Sequence, residues 1–395
     1  MEMKEAVKRH IHYLCQEIGP RPTGSDNNRH AVEYCLKELK EAGLRVHLQE
    51  FDCMDWKNNG AVLTVDGHPV QVVAADYSLP CRCEAEIVPI GTVSALRESD
   101  LKGKIAVLFG ELCKEPLMPK NFFFYNPEEH KEIITLLEKK GPLAVITVSN
   151  TPKLPVPVIE DGDFDIPCAA AAGNDLPVFL GAAGSKAYLH VKAERKAAKS
   201  ANVIAAFGNG PSTLSFSAHL DTKPASSGAL DNASGVAVLL ALAPLLKNKK
   251  LSHKVEIVFF NGEDYYSAPG EMAYLSSDLF RSGNYTHAFN IDGVGLIGSN
   301  TSLSFYASSP ELERLIGDRA GKIPGFVVTE PWPQGDHMLF ASTGIPTVAV
   351  TSASIFGLAD SILHTPDDNL SLLDPDNLVR VIRFLESCLE DLAIG

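Results

Sequence analysis

The stretch VEIVFFNGED, residues 255–264, runs six mostly apolar positions into a turn and then sets two carboxylates side by side, Glu263 and Asp264. Adjacent carboxylates repel, and no cationic residue stands within three positions of the pair, so either water solvates both or something outside the chain neutralises them. Outward from this stretch, the same order of strand, loop and helix recurs. TLSFSAH (213–219) precedes the apolar ASGVAVLLALAPLL (233–246), and KVEIVFF (254–260) precedes a helix near 270–282. HAFNID (287–292) and TVAVTS (347–352) follow, then a last helix that Asp374 caps and Pro375 opens. Apolar strands alternating with helices predict an α/β fold, a mostly parallel (mixed) sheet with helices on both faces. Ligands of such sheets bind outside the carboxyl ends of the strands.

The first half reads differently. Helices are expected over 4–17 and 27–42, joined by the turn-rich GPRPTGS (19–25), and LRVHLQEFD and AVLTVDGHPVQVVAAD then alternate like strands. From about residue 76, short strand-like runs (EAEIVPIG, KIAVLFG, LAVITVS) alternate with proline-rich loops such as KLPVPVIEDGDFDIP. The expected organisation is therefore a catalytic part over 1–75, an inserted β-rich domain over 76–200, and the metal-binding catalytic part over 201–395. FFFYNP (122–127) is an aromatic loop that suits a lid, an oligomer contact or a packing cluster.

Composition narrows the class. With 45% hydrophobic and 21% charged residues, the 395-residue chain is ordinary for a globular protein. A formal net charge of -14 without a long basic run argues against nucleic acid and anionic membranes as partners. The opening MEMKEAVKRHIHYLCQEIGP spaces its apolar residues as an amphipathic helix rather than a cleavable signal, so a soluble, cytoplasmic protein is expected. Eight scattered cysteines with no CxxC pair suit reduced thiols. Cys81 and Cys83 are expected on one face of a strand.

Metal-type side chains fall just past the strand ends. His219 closes TLSFSAH with Asp221 two residues on, Asp231 precedes the next helix, Glu263 and Asp264 follow KVEIVFF, Asp292 ends HAFNID, and His364 lies in SILHTPDDN. Two imidazoles and three carboxylates so arranged can hold two divalent ions, one carboxylate bridging them. Nitrogen and oxygen donors without thiolate suit zinc, with cobalt or manganese possible. On extended backbone Glu263 and Asp264 point to opposite sides, so one can ligate while the other takes a proton from water. Asp221 is placed to hold the second nitrogen of His219.

The motifs SAHLDT, GALDNASG, NGED, NIDG and HTPDDN, in this order, resemble those of the dinuclear zinc aminopeptidase family, whose members include bacterial leucyl aminopeptidases, glutamate carboxypeptidase II and glutaminyl cyclases. IGPRPTGSDNNRHAVEYCLKELKEAGLRV is similar to that family's opening. DLKGKIAVLFGELC, GPLAVITVSN and FDIPCAAAAGND resemble the protease-associated domain often inserted in such enzymes. The resemblance implies a phosphorylase/hydrolase-like zinc peptidase core binding two Zn2+. His219 and Asp292 would ligate one ion and Asp264 and His364 the other. Asp231 would bridge them, with the Asp231-Asn232 peptide expected to be cis, Glu263 would be the general base, and Asp221 would support His219. QGDHMLF resembles a substrate-orienting segment, which makes Asp336 and His337 candidates. In many members a second glutamate stands where this chain has Asp264, and glycine-rich sequence stands where Tyr265 and Tyr266 would line a substrate pocket.

The activity expected from the resemblance is a metal-dependent aminopeptidase acting on peptides or small peptide-like substrates, with a homo-oligomer possible. The alternatives are a carboxypeptidase or other amidohydrolase on the same scaffold, a glutaminyl cyclase, and a non-enzymatic binder that has lost its ligands. Retention of all five ligands and the base disfavours the last.

Overall fold

The computed structural model describes residues 2–122, 125–247, 249–358 and 361–392, so Phe123 and Phe124 of the FFFYNP loop lie outside the described residues. Its contacts divide the chain into two compact units, Met1–Cys53 with Ala198–Gly395, and Met54–Ala197.

In chain order the first unit opens with α1 (Glu2–His12), continued by a wider helical turn, then α2 (Asp26–Glu41) and the start of β1 (Arg45–Val65). The Ser25 hydroxyl caps α2 by accepting from the Asn28 N–H at 3.1 Å. The second unit contains β2 (His68–Val70), β3 (Val72–Ala74), β4 (Cys81–Ile90), α3 (Val93–Glu98), β5 (Ile105–Leu108), α4 (Glu128–Lys140), β6 (Ala144–Val148), β7 (Cys168–Ala171), α5 (Leu176–Gly181) and the start of β8 (Lys186–Phe207). Its strands run β8-β4-β5-β6-β7-β3, with β4, β5, β6 and β7 parallel.

Residues 54–75, expected with the first catalytic part, belong to this second unit. The reason is pairing: the end of β1 forms a hairpin with β2, matching Leu63 to Val70, and β3 runs antiparallel to β7. β1 and β8 each continue across the boundary as a single strand, so no linker composition marks it.

The first unit resumes with β9 (Thr213–His219), α6 (Ser234–Leu246), β10 (Lys254–Phe260), α7 (Pro269–Leu275), α8 (Asp278–Arg281), β11 (Tyr285–Ile291), β12 (Thr301–Tyr306), α9 (Pro310–Ala320), β13 (Phe326–Val328), α10 (His337–Ala341), β14 (Thr347–Ser352) and α11 (Pro375–Leu392). Strand order is β13-β12-β14-β11-β9-β10-β8. β14, β11, β9 and β10 are mutually parallel, β12 and β8 run antiparallel to β14 and β10, and β13 runs parallel to β12. This is the mixed, mostly parallel α/β sheet expected.

Alternation along β10 sorts the two faces. Val255, Ile257 and Phe259 join the core formed with α1, α2, α6 and α11, whereas Val258 and Phe260 join Tyr274, Leu339 and Phe340 on the other side. Helix α6 is apolar all round because it is buried all round; the window Ala229–Leu246 matches a membrane span in length and apolarity but is 89% buried in this unit. Asp374 caps α11 as expected, its Oδ1 accepting from the Asp376 N–H at 2.9 Å.

Candidate metal centre

Because β9, β10, β11 and β14 are parallel, their carboxyl ends share one edge. His219 is the last residue of β9, in register with Phe260 at the end of β10. Glu263 and Asp264 sit in the turn after β10, Asp292 follows β11, and His364 lies in the segment after β14. Asp231 comes from the irregular turn Ala229–Ala233 ahead of α6, and the Asp231-Asn232 peptide is cis. Two glycines permit these turns. Gly228 has φ +55 and Gly262 φ +125, and a Cβ would lie 2.3 Å from the Asp231 carbonyl oxygen in the first and 2.6 Å from Pro269 Cδ in the second.

All five metal-type residues converge. Nε2 of His219 lies 3.0 Å from Asp231 Oδ1 and 3.5 Å from Asp292 Oδ1. Nε2 of His364 lies 3.1 Å from Asp231 Oδ2 and 3.1 Å from Asp264 Oδ1. Asp231 thus presents one oxygen to each histidine, and each histidine has a second carboxylate of its own.

These groups fit a cation better than they fit one another. Among the described residues, both ring nitrogens of His219, Asp221 Oδ1 and Asp264 Oδ2 are buried without a hydrogen-bond partner. Ligand atoms of His219, Asp231 and Asp264 lie within 4.8 Å of one another. Buried, unpaired nitrogen and oxygen donors aimed at a common point are costly alone and suit a divalent ion.

The electrostatics carry the same strain. Burial alone would lower the His219 pKa, but Asp292, Asp221 and Asp231 override it and hold the ring well above the ordinary imidazole value. Burial likewise opposes ionisation of Asp231, and His219 and His364 outweigh it, keeping that carboxyl well below its usual range. Glu263 is pushed well up by burial and by the charges of Asp264, Asp336 and Asp292, against the pull of His219.

Asp221 Oδ1 stands 3.8 Å from His219 Nδ1, beyond hydrogen-bonding distance, while its other oxygen accepts from the Thr23 hydroxyl at 2.9 Å. Asp336 and His337 are both buried. His337 Nε2 lies 2.9 Å from the Trp332 carbonyl, and burial lowers its pKa to about 4 against that contact, so the ring is neutral at pH 7 and donates there. Tyr265 is buried with its ring 4.5 Å from that of Tyr266.

Three further residues, not singled out by sequence reasoning, shape the centre. Arg21, inside the connector GPRPTGS, is fully buried; its Nε donates to the Leu220 carbonyl at 2.6 Å and its guanidinium to the Ser227 carbonyl at 2.7 Å. Asp368, inside HTPDDN, accepts from the N–H groups of Leu230 at 2.7 Å and Asp231 at 3.1 Å, joining the His364 segment to the Asp231 turn. Asn232 donates to the Ile291 carbonyl at 2.9 Å and accepts from the Gly235 N–H at 2.9 Å, fixing that turn against the end of β11. Their only sequence signal was position within a quoted motif, since every partner of Arg21 in the turn lies about 200 residues away.

Residues 202–388 match the model of peptidase family M28. The match takes in 187 of the 395 residues, just under half of the chain. The M28 segment holds His219, Asp221, Asp231, Glu263, Asp264, Asp292 and His364, whereas Arg21 lies outside it. The chain is 24% identical, over 90% of its length and 75% of the relative's, to the probable leucine aminopeptidase 2 of Aspergillus fumigatus. It is 24% identical to the probable lipoprotein aminopeptidase LpqL of Mycobacterium tuberculosis over 73% of this chain and spans 55% of that relative. The fold is shared with BSAP, a zinc aminopeptidase from Bacillus subtilis, at TM-score 0.80 and 22% identity, covering 99% of this chain and 95% of that one.

Proposed function

We propose that this protein is a metal-dependent aminopeptidase that removes N-terminal residues from peptides, using two zinc ions bridged by Asp231. One observation carries the reading: Asp231 presents Oδ1 to His219 and Oδ2 to His364, and Asp292 and Asp264 complete the two sides. The relatives named as aminopeptidases support the activity.

His219, Asp231 and Asp292 would hold one ion, and His364, Asp231 and Asp264 the other. Ions held there would supply Lewis-acid polarisation of the scissile carbonyl and would make water a better acid. Glu263 then takes the proton of the attacking water and returns it to the departing amine. A carboxylate whose own surroundings raise its proton affinity is suited to both halves of that transfer. Asp221, held by Thr23, supports His219 through the negative charge it sets 3.8 Å behind Nδ1.

The test is a panel of aminoacyl and N-blocked peptides assayed with and without a chelator. Cleavage that needs both a free amine and the metal is expected. Cleavage of N-blocked peptides from their carboxyl ends, or turnover unaffected by the chelator, would overturn the reading.

A further inference from the structure

Outside the metal centre, strand β4 carries a second cluster of reactive side chains. It pairs antiparallel with β8, matching Cys81 to Val191 and Cys83 to Leu189. Residues two apart on a strand project from the same face, so these two thiols are neighbours. Both are half-buried, whereas Cys15, Cys35, Cys113, Cys168 and Cys388 are buried.

Cys81 also lines an open groove of about 590 Å³ with Arg82, His190, Lys192 and Glu194. Two fixed cations against one carboxylate make that groove attractive to a small anion. The neighbouring Cys83 thiol lowers the Cys81 thiol to about 7 against the effect of burial, with help from the Val191 backbone, while Cys81 and burial push Cys83 up. Burial instead raises Cys15, Cys113 and Cys388 to about 12. A thiolate at neutral pH, a neighbouring second thiol and access from solvent are the ingredients of disulfide exchange.

We propose that Cys81 and Cys83 form a thiol–disulfide exchange site for small anionic disulfides, with Cys81 attacking and Cys83 resolving. The Cys81 thiolate attacks one sulfur of the disulfide RS–SR, the S–S bond breaks, and RS⁻ leaves and takes a proton from solvent. The mixed disulfide Cys81–SR is then attacked by Cys83, which has given its proton to solvent; the second RS⁻ leaves and is protonated, and a Cys81–Cys83 bond forms. The protein loses two electrons and two protons, and the small disulfide gains both. Cα atoms two residues apart on a strand are about 6.4–6.8 Å apart, the upper limit of what a disulfide spans, so the closed form is strained and readily reduced. The site is therefore reversible rather than structural. It does not depend on the peptidase reading.

The full-length protein is exposed to glutathione disulfide at neutral pH, quenched with N-ethylmaleimide and mapped by peptide mass spectrometry. Trypsin cuts after Arg82, so an intrachain bond is read as two linked peptides. Cys81 is expected to oxidise about tenfold faster than any other cysteine and to pass to the linked pair. Cys83→Ser should stop at a glutathione adduct on Cys81, and Cys81→Ser should leave Cys83 unmodified over the same period. Undiminished modification of Cys83 in Cys81→Ser, or oxidation of Cys53 or a buried cysteine ahead of Cys81, would overturn the proposal.

Discussion

Asp231 places its Oδ2 3.1 Å from His364 Nε2, on the side away from the oxygen that faces His219. One carboxylate thus serves two sets of donors, and a deletion there should fail differently from a deletion on either side. Asp231→Ala is expected to lose both ions, whereas Asp292→Ala and Asp264→Ala each lower the metal content by one. Elemental analysis of the purified variants decides this; two equivalents retained by Asp231→Ala would contradict the bridge.

Glu263 is assigned to proton transfer rather than to ligation. Glu263→Gln should keep its metal complement and lose roughly 10²- to 10⁴-fold in turnover, the range for removal of a general acid–base group. Steady-state kinetics paired with metal analysis separate the two roles, and turnover within a few-fold of wild type would remove the assignment.

Metal removal should destabilise the first unit. With the ions gone, Asp231, Asp264 and Asp292 repel one another at close range, and the unpartnered nitrogens of His219 remain buried. Each ion present at a thousand times its dissociation constant stabilises the native state by about 4 kcal/mol. Thermal unfolding with chelator, then with zinc restored, should show a large reversible shift in midpoint; unchanged midpoints would count against a site preformed in the fold.

Arg21 offers a test far from the ligands in sequence. Arg21→Met removes donors that satisfy the buried carbonyl of Leu220 and the part-buried carbonyl of Ser227, each left unpaired at up to about 1–3 kcal/mol. The expected loss is about 3 kcal/mol of stability, together with weakened metal binding, because the clamped segment runs from His219 to Asp231. Denaturant unfolding and metal titration measure the two separately. Full metal affinity in a destabilised variant would confine Arg21 to folding alone.

His10 gives a pH dependence. Burial, with Arg9 beside it, lowers its pKa from 6.5 to about 4, and its Nδ1 lies 2.7 Å from the Tyr34 hydroxyl. Glu38 stands 3.9 Å away, but it is already engaged by Arg9 at 2.9 Å. The folded ring stays neutral where the unfolded one takes a proton. Its contribution is thus complete above pH 6.5, and it is lost as the pH falls from there through about 4. The 2.5-unit difference corresponds to at most about 3 kcal/mol. Metal-free wild type should lose that much more stability across this window than His10→Gln, by denaturant midpoints; parallel curves would refute it.

The sheet was legible because each strand of the M28 segment is a short apolar run ended by turn residues, and because side chains of one chemistry recur at those ends. VEIVFF and TLSFSAH could hardly be anything but neighbouring buried strands, so His219 and Asp264 fell at one edge as soon as the strands were parallel. What sequence left obscure depends on long-range pairing. Asp368 looked like one more acid in HTPDDN, and only the fold reveals that it receives the N–H groups of Leu230 and Asp231. The boundary at Met54 was hidden for the opposite reason, since β1 continues through it as an uninterrupted strand. Asp221 shows the limit of periodicity: i+2 spacing placed it near His219, but not within bonding distance.

The route by which Arg21 and His364 reach the centre bears on how the molecule is made. As the nascent chain leaves the ribosome, Arg21 emerges some 200 residues before the carbonyls it will grip, and it waits in water as a solvated cation. The Asp231 turn receives its Asp368 acceptor only after a further 137 residues have been made. Until residue 368 has emerged the proposed ion site is incomplete, so metallation would await closure of the fold.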